Sequence, residues 1–376
     1  MQKRSALVLA ITCFTGFASI VPATSRAQLS SNVQTYASGL NGPRGLKFDP
    51  DGQLYVAEAG TGGTTSTKGQ CAQVIPPIGP YTGGMTSRIS KITREGKRET
   101  VASGFPSSVD SNTPSDISGV GDLAFLDGRL YAVLSGAGCS HGSSVPNAIV
   151  RVDNETGKWK VIADLSSFLK AHQAKYENAA DFEPDGIFYS LVAHRDRLYT
   201  VEPNHGQVFS ITPEGKIREE IDISEAEGHI VPTAIAERNG DFFVGNLGLF
   251  PITPNSSKIL TLTRNWFHDP APGLDPSPEL QKLKVAGSRA GFTTIVGVDF
   301  GPDGLLYVLE FSPEAGYPTP GTGKVVRLKR DGEIEEVATG LTVPTAMTFG
   351  PDGHLYVSNL GAAAPGAGEI VRISIY

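Results

Sequence analysis

One pattern recurs along this chain: a short apolar run, a tight turn built on Asp-Gly, an aromatic strand, and a polar residue where that strand stops. The clearest copies run from Gly45 to Glu58 (GLKFDPDGQLYVAE), Gly297 to Glu310 (GVDFGPDGLLYVLE) and Ala346 to Asn359 (AMTFGPDGHLYVSN). A unit of short strands leaves a hydrophobic face that only a neighbouring copy covers, so the copies must close on themselves. The expected fold is all-β, a β-propeller.

The aromatic of the second strand falls at Tyr55, Tyr131, Tyr199, Phe243, Tyr307 and Tyr356. Third strands rich in β-branched residues follow at 88–93, 148–153, 207–212, 258–263, 324–329 and 369–374. This spacing predicts a six-bladed propeller with four-stranded antiparallel blades. The last repeat reaches the C-terminus without a fourth strand, and Val33 to Leu40 resembles Glu336 to Leu341, the fourth strand of repeat five. The N-terminal strand is therefore expected to supply the outer strand of the last blade and to remove its exposed edge.

The first 27 residues carry Lys3 and Arg4, an apolar run from Ala6 to Val21, and Ser25-Arg26-Ala27 before Gln28. This is the layout of a secretory signal peptide, which implies a secreted or periplasmic protein made of residues 28–376 as one propeller domain, with no stable transmembrane segment after cleavage. The mature chain would hold 29 basic against 39 acidic residues, a formal charge of −10, with no long basic segment. Nucleic acid is excluded as a partner on that balance. Cys13 leaves with the signal, while Cys71 and Cys139 lie in the loops after the second strands of consecutive repeats and are candidates for a disulfide.

In a four-stranded meander the 1–2 and 3–4 turns share one face of the ring, and the 2–3 and 4–1 connections share the other. Insertions at 59–87, 104–119, 135–147, 164–185, 247–257, 264–293, 311–323 and 360–368 are all expected on the second face, which becomes the candidate working surface. Within them, Ser166 to Ala180 has the spacing of a short helix begun by Ser166 or Ser167.

Directly after the second strand, equivalent positions carry Glu58, Leu134, Glu202, Asn246, Glu310 and Asn359. Five oxygen-bearing side chains at the loop-rich mouth have two readings. Glu58, Glu202, Asn246 and Glu310 could ligate calcium or another divalent cation, which takes oxygen at about 2.3–2.6 Å. Alternatively, each hydrogen-bonds backbone N–H groups of the next blade as a structural cross-tie. Arg44, before the first strand, is expected to pair with Glu58 in either case.

Gly138-Cys139-Ser140-His141-Gly142 has the G-x-S-x-G spelling but lacks the strand-to-helix setting of a nucleophile elbow. The Gly-rich stretches lack the Lys-Ser/Thr ending of a phosphate loop. Asn154-Glu155-Thr156 and Asn255-Ser256-Ser257 spell glycosylation sequons. His141, His172, His205, His229 and His268 fall in or near the loop-rich face, and His194 and His354 on the other.

With the repeats placed, the chain resembles the ScyD/ScyE family, exported bacterial propellers related to NHL and SMP-30-like proteins. The resemblance rests on Gly39 to Leu46 (GLNGPRGL), Asp51 to Gly60 (DGQLYVAEAG) and Leu355 to Asn359 (LYVSN), and spans residues 33–376. It implies an exported propeller without fixing a reaction. SMP-30-like relatives use a central divalent metal to hydrolyse lactones or esters; of their ligands, Glu58 and Asn246 match here and an Asp ligand does not. NHL-type relatives imply binding of peptide, glycan or protein.

Two functions follow from the residues and the resemblance together. One is a non-enzymatic propeller that binds a small molecule, glycan or protein through Arg44, Glu58, Glu202, Asn246, Glu310 and Asn359. The other is a metal-dependent lactone or ester hydrolase with Glu310 or His205 as proton acceptor.

Overall fold

The computed structural model describes residues 28–76, 78–112, 116–264 and 282–375. The expected signal peptide and His268 lie outside the described residues. Among those residues no helix is long and apolar enough to cross a membrane.

The strands form six antiparallel sheets, one per blade of a propeller. Blade one runs Pro43–Phe48, Leu54–Glu58, Tyr81–Ile92, Arg98–Asp110, with Ile117–Ser118 added at its outer edge. Blade two is Val120–Leu126, Arg129–Leu134, Ala148–Val152, Trp159–Asp164, and blade three is Leu191–His194, Arg197–Glu202, Gln207–Ile211, Ile217–Asp222. Blade four is Pro232–Arg238, Asp241–Asn246, Ser257–Arg264, Leu283–Phe292, and blade five is Ile295–Phe300, Leu306–Glu310, Gly323–Leu328, Ile334–Leu341. Blade six takes Ala346–Phe349, Leu355–Asn359 and Gly368–Ile373 from the C-terminus and Val33–Leu40 from the N-terminus, with Val33 opposite Ile373 and Leu40 opposite Gly368.

Each second strand is central in its sheet and has a blade packed on either side. Leu54–Glu58, Leu306–Glu310 and Leu355–Asn359 are accordingly buried at every residue, and read as continuous apolar runs rather than alternating ones. The outer strands alternate or face water, as Leu283–Phe292 does over most of its length.

The core is divided among the blade interfaces. Buried clusters sit between blades one and two around Leu123 and Phe105, two and three around Phe188 and Phe209, and three and four around Phe242 and Val201. The series continues between four and five around Phe292, five and six around Tyr307, and six and one around Leu40, Leu46 and Tyr356. The recurring Phe and Tyr of the sequence pattern meet across these interfaces, not within one hairpin. Tyr55–Phe125, Phe243–Phe300, Tyr307–Phe349 and Tyr356–Phe48 pack edge to face at centroid separations of 4.9 to 5.2 Å, a geometry worth about 0.5–1.5 kcal/mol per pair beyond area burial. The Asp-Gly turns need glycine because Gly52, Gly304 and Gly353 have φ of 75° to 77°.

Three expectations are corrected. In the segment 264–293, of which 265–281 lie outside the described residues, Leu283–Phe292 is not loop but the fourth strand of blade four, paired with Ser257–Arg264. The segment 104–119 is largely strand, because Arg98–Asp110 extends to pair with Tyr81–Ile92 and then with Ile117–Ser118. The short helix is Leu165–Ala171, capped by Asp164, whose carboxylate accepts from Ser167 N at 2.9 Å and Ser167 Oγ at 2.7 Å. Leu165 and Leu169 bury it against blades two and three.

Leu40 is fully buried at the junction of the two chain ends. Leu40→Ala is expected to lower unfolding free energy by about 2–5 kcal/mol, measured by denaturant titration of residues 28–376.

Candidate functional site

The five polar side chains at the ends of the second strands are buried, and each is committed to its own blade. Glu58 accepts from Arg88 Nε and Nη2 at 2.8 and 2.9 Å, from Ser90 Oγ at 2.5 Å and from Asn41 N at 2.7 Å. Glu202 accepts from Ile187 N at 2.9 Å and His205 N at 2.6 Å, and Glu310 from Thr293 N at 2.6 Å. Asn246 accepts from Lys258 N and donates to Ile230 O; Asn359 accepts from Thr342 N and donates to Glu369. The expected cross-ties to the next blade are corrected to a clamp within one blade: the last residue of strand two holds the chain just before strand one of the same blade. Arg44 does not pair with Glu58. Its guanidinium donates to Ile117 O, and Arg98 instead stands 3.5 Å from Glu58.

The structure therefore does not bring Glu58, Glu202, Asn246 and Glu310 together. No group of three or more His, Cys, Asp or Glu side chains among the described residues is arranged to hold a metal ion. Their lone pairs already face N–H donors or cations, so this donor set does not fit a divalent ion that needs about 6–8 oxygens. Of the two expected proton acceptors, His205 is held by Glu202, with Nδ1 at 3.1 Å. Burial opposes its charge, but the carboxylates of Glu202, Glu177 and Asp181 together raise its pKa. Glu310 has its pKa raised by burial, against the pull of Thr293 N–H and Lys324.

What does converge lies on the axis, on the innermost strands. A cavity of about 170 Å³ is lined by Arg44, Tyr81, Asp116, Asp122, Tyr189 and Ser190, among others, and opens on the insertion-rich face. A smaller space below it, lined by Lys47, Asp122, Ala234, Val298 and Met347, continues along the axis. Inner-strand hydroxyls stitch one blade to the next around it: Ser190 Oγ donates to Thr233 O at 2.6 Å, Thr233 Oγ1 to Ile295 O at 2.5 Å and Thr345 Oγ1 to Pro43 O at 2.6 Å. Tyr189 reaches across the axis from blade three and donates to Thr345 O of blade six at 3.0 Å.

Asp122 is the centre of this layer. Its Oδ1 accepts from Leu123 N at 2.8 Å and its Oδ2 from Leu191 N of the next blade at 2.7 Å. It packs over Gly45, where a Cβ would stand 1.8 Å from Oδ1, so only glycine fits there. Burial pushes the Asp122 carboxyl up to about 6, against the pull of Lys47 and the two backbone donors. Asp299 repeats the device in blade five, accepting from Phe300 N at 2.8 Å and Phe349 N of blade six at 3.3 Å, and burial raises it as well. Asp116 differs. Its carboxylate lines the cavity with no hydrogen bond from the described residues, and burial raises its pKa against the charge of Arg44.

Behind Tyr81 lies a second buried group. Tyr81 packs on His141 at 4.5 Å between ring centroids, and His141 Nε2 faces Glu183 Oε2 at 3.5 Å with neither atom hydrogen-bonded. Burial drives His141 down to about 4 and Glu183 well above its ordinary range, so the pair disfavours both charges. Ser140 is fully buried and donates from Oγ to Asp185 at 2.7 Å, which leaves the G-x-S-x-G spelling without a reachable nucleophile. Cys71 and Cys139 form a disulfide. His229 binds Asp181 at 2.9 Å, His172 stacks on Phe168 and His194 faces Glu237 at 3.0 Å, all within the scaffold. The sequence reading missed Tyr81, Asp116, Asp122 and Tyr189. A carboxylate inside the otherwise apolar inner strand Val120–Leu126 was the available signal.

No family model and no curated protein sequence matches the chain. Solved structures do. A gluconolactonase of Xanthomonas campestris aligns with TM-score 0.51 and 12% identity over 91% of this chain and 89% of its own. A putative oxidoreductase (glucose dehydrogenase) of Thermus thermophilus aligns with TM-score 0.53 and 18% identity over 91% and 99%. A protein of unknown function from Bacteroides thetaiotaomicron aligns with TM-score 0.55 and 12% identity over 92% and 76%. At these identities the likeness shows the fold alone, a six-bladed propeller.

Two measurements check the site. Carboxyl NMR should give an Asp122 midpoint near 6, as burial requires; since that lies above its ordinary 3.8, the native state loses stability from this group as the pH rises between those values. Glu58→Ala should cost at least about 2 kcal/mol of unfolding free energy, because it strands the charge-assisted donors of Arg88 and Ser90.

Proposed function

We propose that the protein is an exported, ScyD/ScyE-like propeller that binds a small oxygen-rich molecule in the axial cavity. The observation that carries this reading is Asp116, a carboxylate held in the cavity beside Arg44 without a hydrogen bond from the described residues. Asp116 is half buried, so without a ligand only water meets its carboxylate, and a ligand that displaces this water must supply the donor. At about 170 Å³ the cavity is smaller than the ~300–1,000 Å³ of drug-sized sites, which points to a sugar- or lactone-sized ligand. Tyr189, Ser190 and Arg44 supply hydroxyl and guanidinium groups that suit such a molecule.

A second reading is ring-opening hydrolysis of a lactone or ester, favoured by the carboxyl of Asp122 at about 6. A base of that pKa is ionised yet still proton-accepting near neutrality. Asp122 would take the proton of the water that attacks the carbonyl carbon, Arg44 would stabilise the oxyanion, and as the ring C–O bond breaks Asp122 would return the proton to the leaving alkoxide. The gluconolactonase-like fold is compatible with this chemistry, and no step is routed through a metal because the residues present do not fit one.

Incubating the mature protein with glucono-1,5-lactone and simple aryl esters separates the readings. Base uptake in a pH-stat, half-maximal near pH 6, identifies the hydrolase; binding without turnover identifies the carrier. In either case Asp116→Asn should weaken binding or turnover at least about tenfold while leaving the unfolding temperature unchanged or higher. A loss of stability with unchanged binding contradicts the assignment.

A further inference from the structure

We propose that a second groove on the insertion-rich face, separate from the axial cavity, binds an uncharged saccharide. It is about 690 Å³ and lies between the 59–80 loop of blade one, the 135–147 loop of blade two and helix Leu165–Ala171. That is about four times the axial volume and within the ~300–1,000 Å³ of small-molecule sites. The two sites share no lining residue, so this inference stands or falls independently of the axial reading.

The groove is built, not incidental. The Cys71–Cys139 disulfide and the bond from Thr67 Oγ1 to Cys139 O join its two loop walls. Backbones touch directly beside them: a Cβ on Gly142 would meet Thr65 O at 2.3 Å, and one on Gly83 would meet Gly142 O at 2.5 Å. The glycine-rich composition of these loops thus produces a rigid wall whose surface is backbone and short hydroxyl side chains. A preformed wall lowers the ordering cost of binding.

Its chemistry selects a neutral polyol. The charges in it are already spent: Lys170 Nζ is 2.5 Å from Asp185 Oδ1, Asp185 Oδ2 accepts from Ser140, and Asp164 caps the helix. Three lining groups have no partner among the described residues, the hydroxyls of Thr65 and Ser144 and the amide of Gln70, and these both donate and accept, as sugar hydroxyls require. Met85, half exposed on the same groove, offers the apolar contact that the C–H face of a pyranose needs. Among the described residues lining the groove, a phosphate or carboxylate ligand would find no free cation, and an organic cation no free carboxylate.

The test is calorimetric titration of the mature, disulfide-intact protein with maltose, cellobiose and lactose, beside Ser144→Trp, which fills the groove from an exposed position. Binding of at least one disaccharide, weakened about tenfold or more in Ser144→Trp with an unchanged unfolding temperature, is the expected result. If that variant alters unfolding, Met85→Asp at its half-exposed position carries the same test with the same threshold. No binding of any of the three up to ~10 mM, equivalent to less than ~3 kcal/mol, overturns the proposal, as does binding that persists within about twofold in the folded variant.

Discussion

Every blade buries its second strand on both faces, and no blade can do so alone. That requirement makes the ring, because the hydrophobic surface of blade one is covered only when blade six arrives beside it. The edge-to-face contact of Phe48 with Tyr356, at 5.0 Å, is the same contact that Tyr307 makes with Phe349 one interface earlier, so the junction of the chain ends is chemically ordinary. The pairing of Val33–Leu40 with Gly368–Ile373 covers the edge of the last C-terminal strand.

The ring divides labour between the strands of each blade. Residues at the ends of second strands clamp the incoming chain, and their carboxylates and amides are consumed in doing so. Residues on the first strands face the axis, where six blades leave space that short side chains do not fill. Asp122, Asp299 and Lys47 are placed there by the alternation of the inner strands, and the cross-axis bond from Tyr189 to Thr345 O fixes the width of the cavity above them. Polar groups in such a setting lose water without leaving the protein, which is why burial dominates the pKa shifts of Asp116, Asp122 and Asp299.

Much of this was legible in the sequence. The Asp-Gly turns, the Phe and Tyr spacing and the orphaned last repeat predicted blade number, strand composition and the residue type at each strand end. The true partner of Glu58 was not legible, because Arg88 competes with Arg44 and only strand register, which sets Arg88 opposite Glu58, shows that it wins. Segment 264–293 misled for a related reason: Leu283–Phe292 is an outer strand facing water, and it lacks the apolar run by which the inner strands announce themselves. The axial cavity was hidden because its residues come from places far apart in the chain, each unremarkable in its own repeat.

The most direct measurement is a crystal structure of residues 28–376 soaked with glucono-1,5-lactone. Density for the lactone or its opened acid between Arg44, Asp116 and Tyr189 is the expected result. Density instead at Glu58, Glu202 or Glu310, with those side chains released from their backbone partners, would contradict the assignment of function to the inner strands.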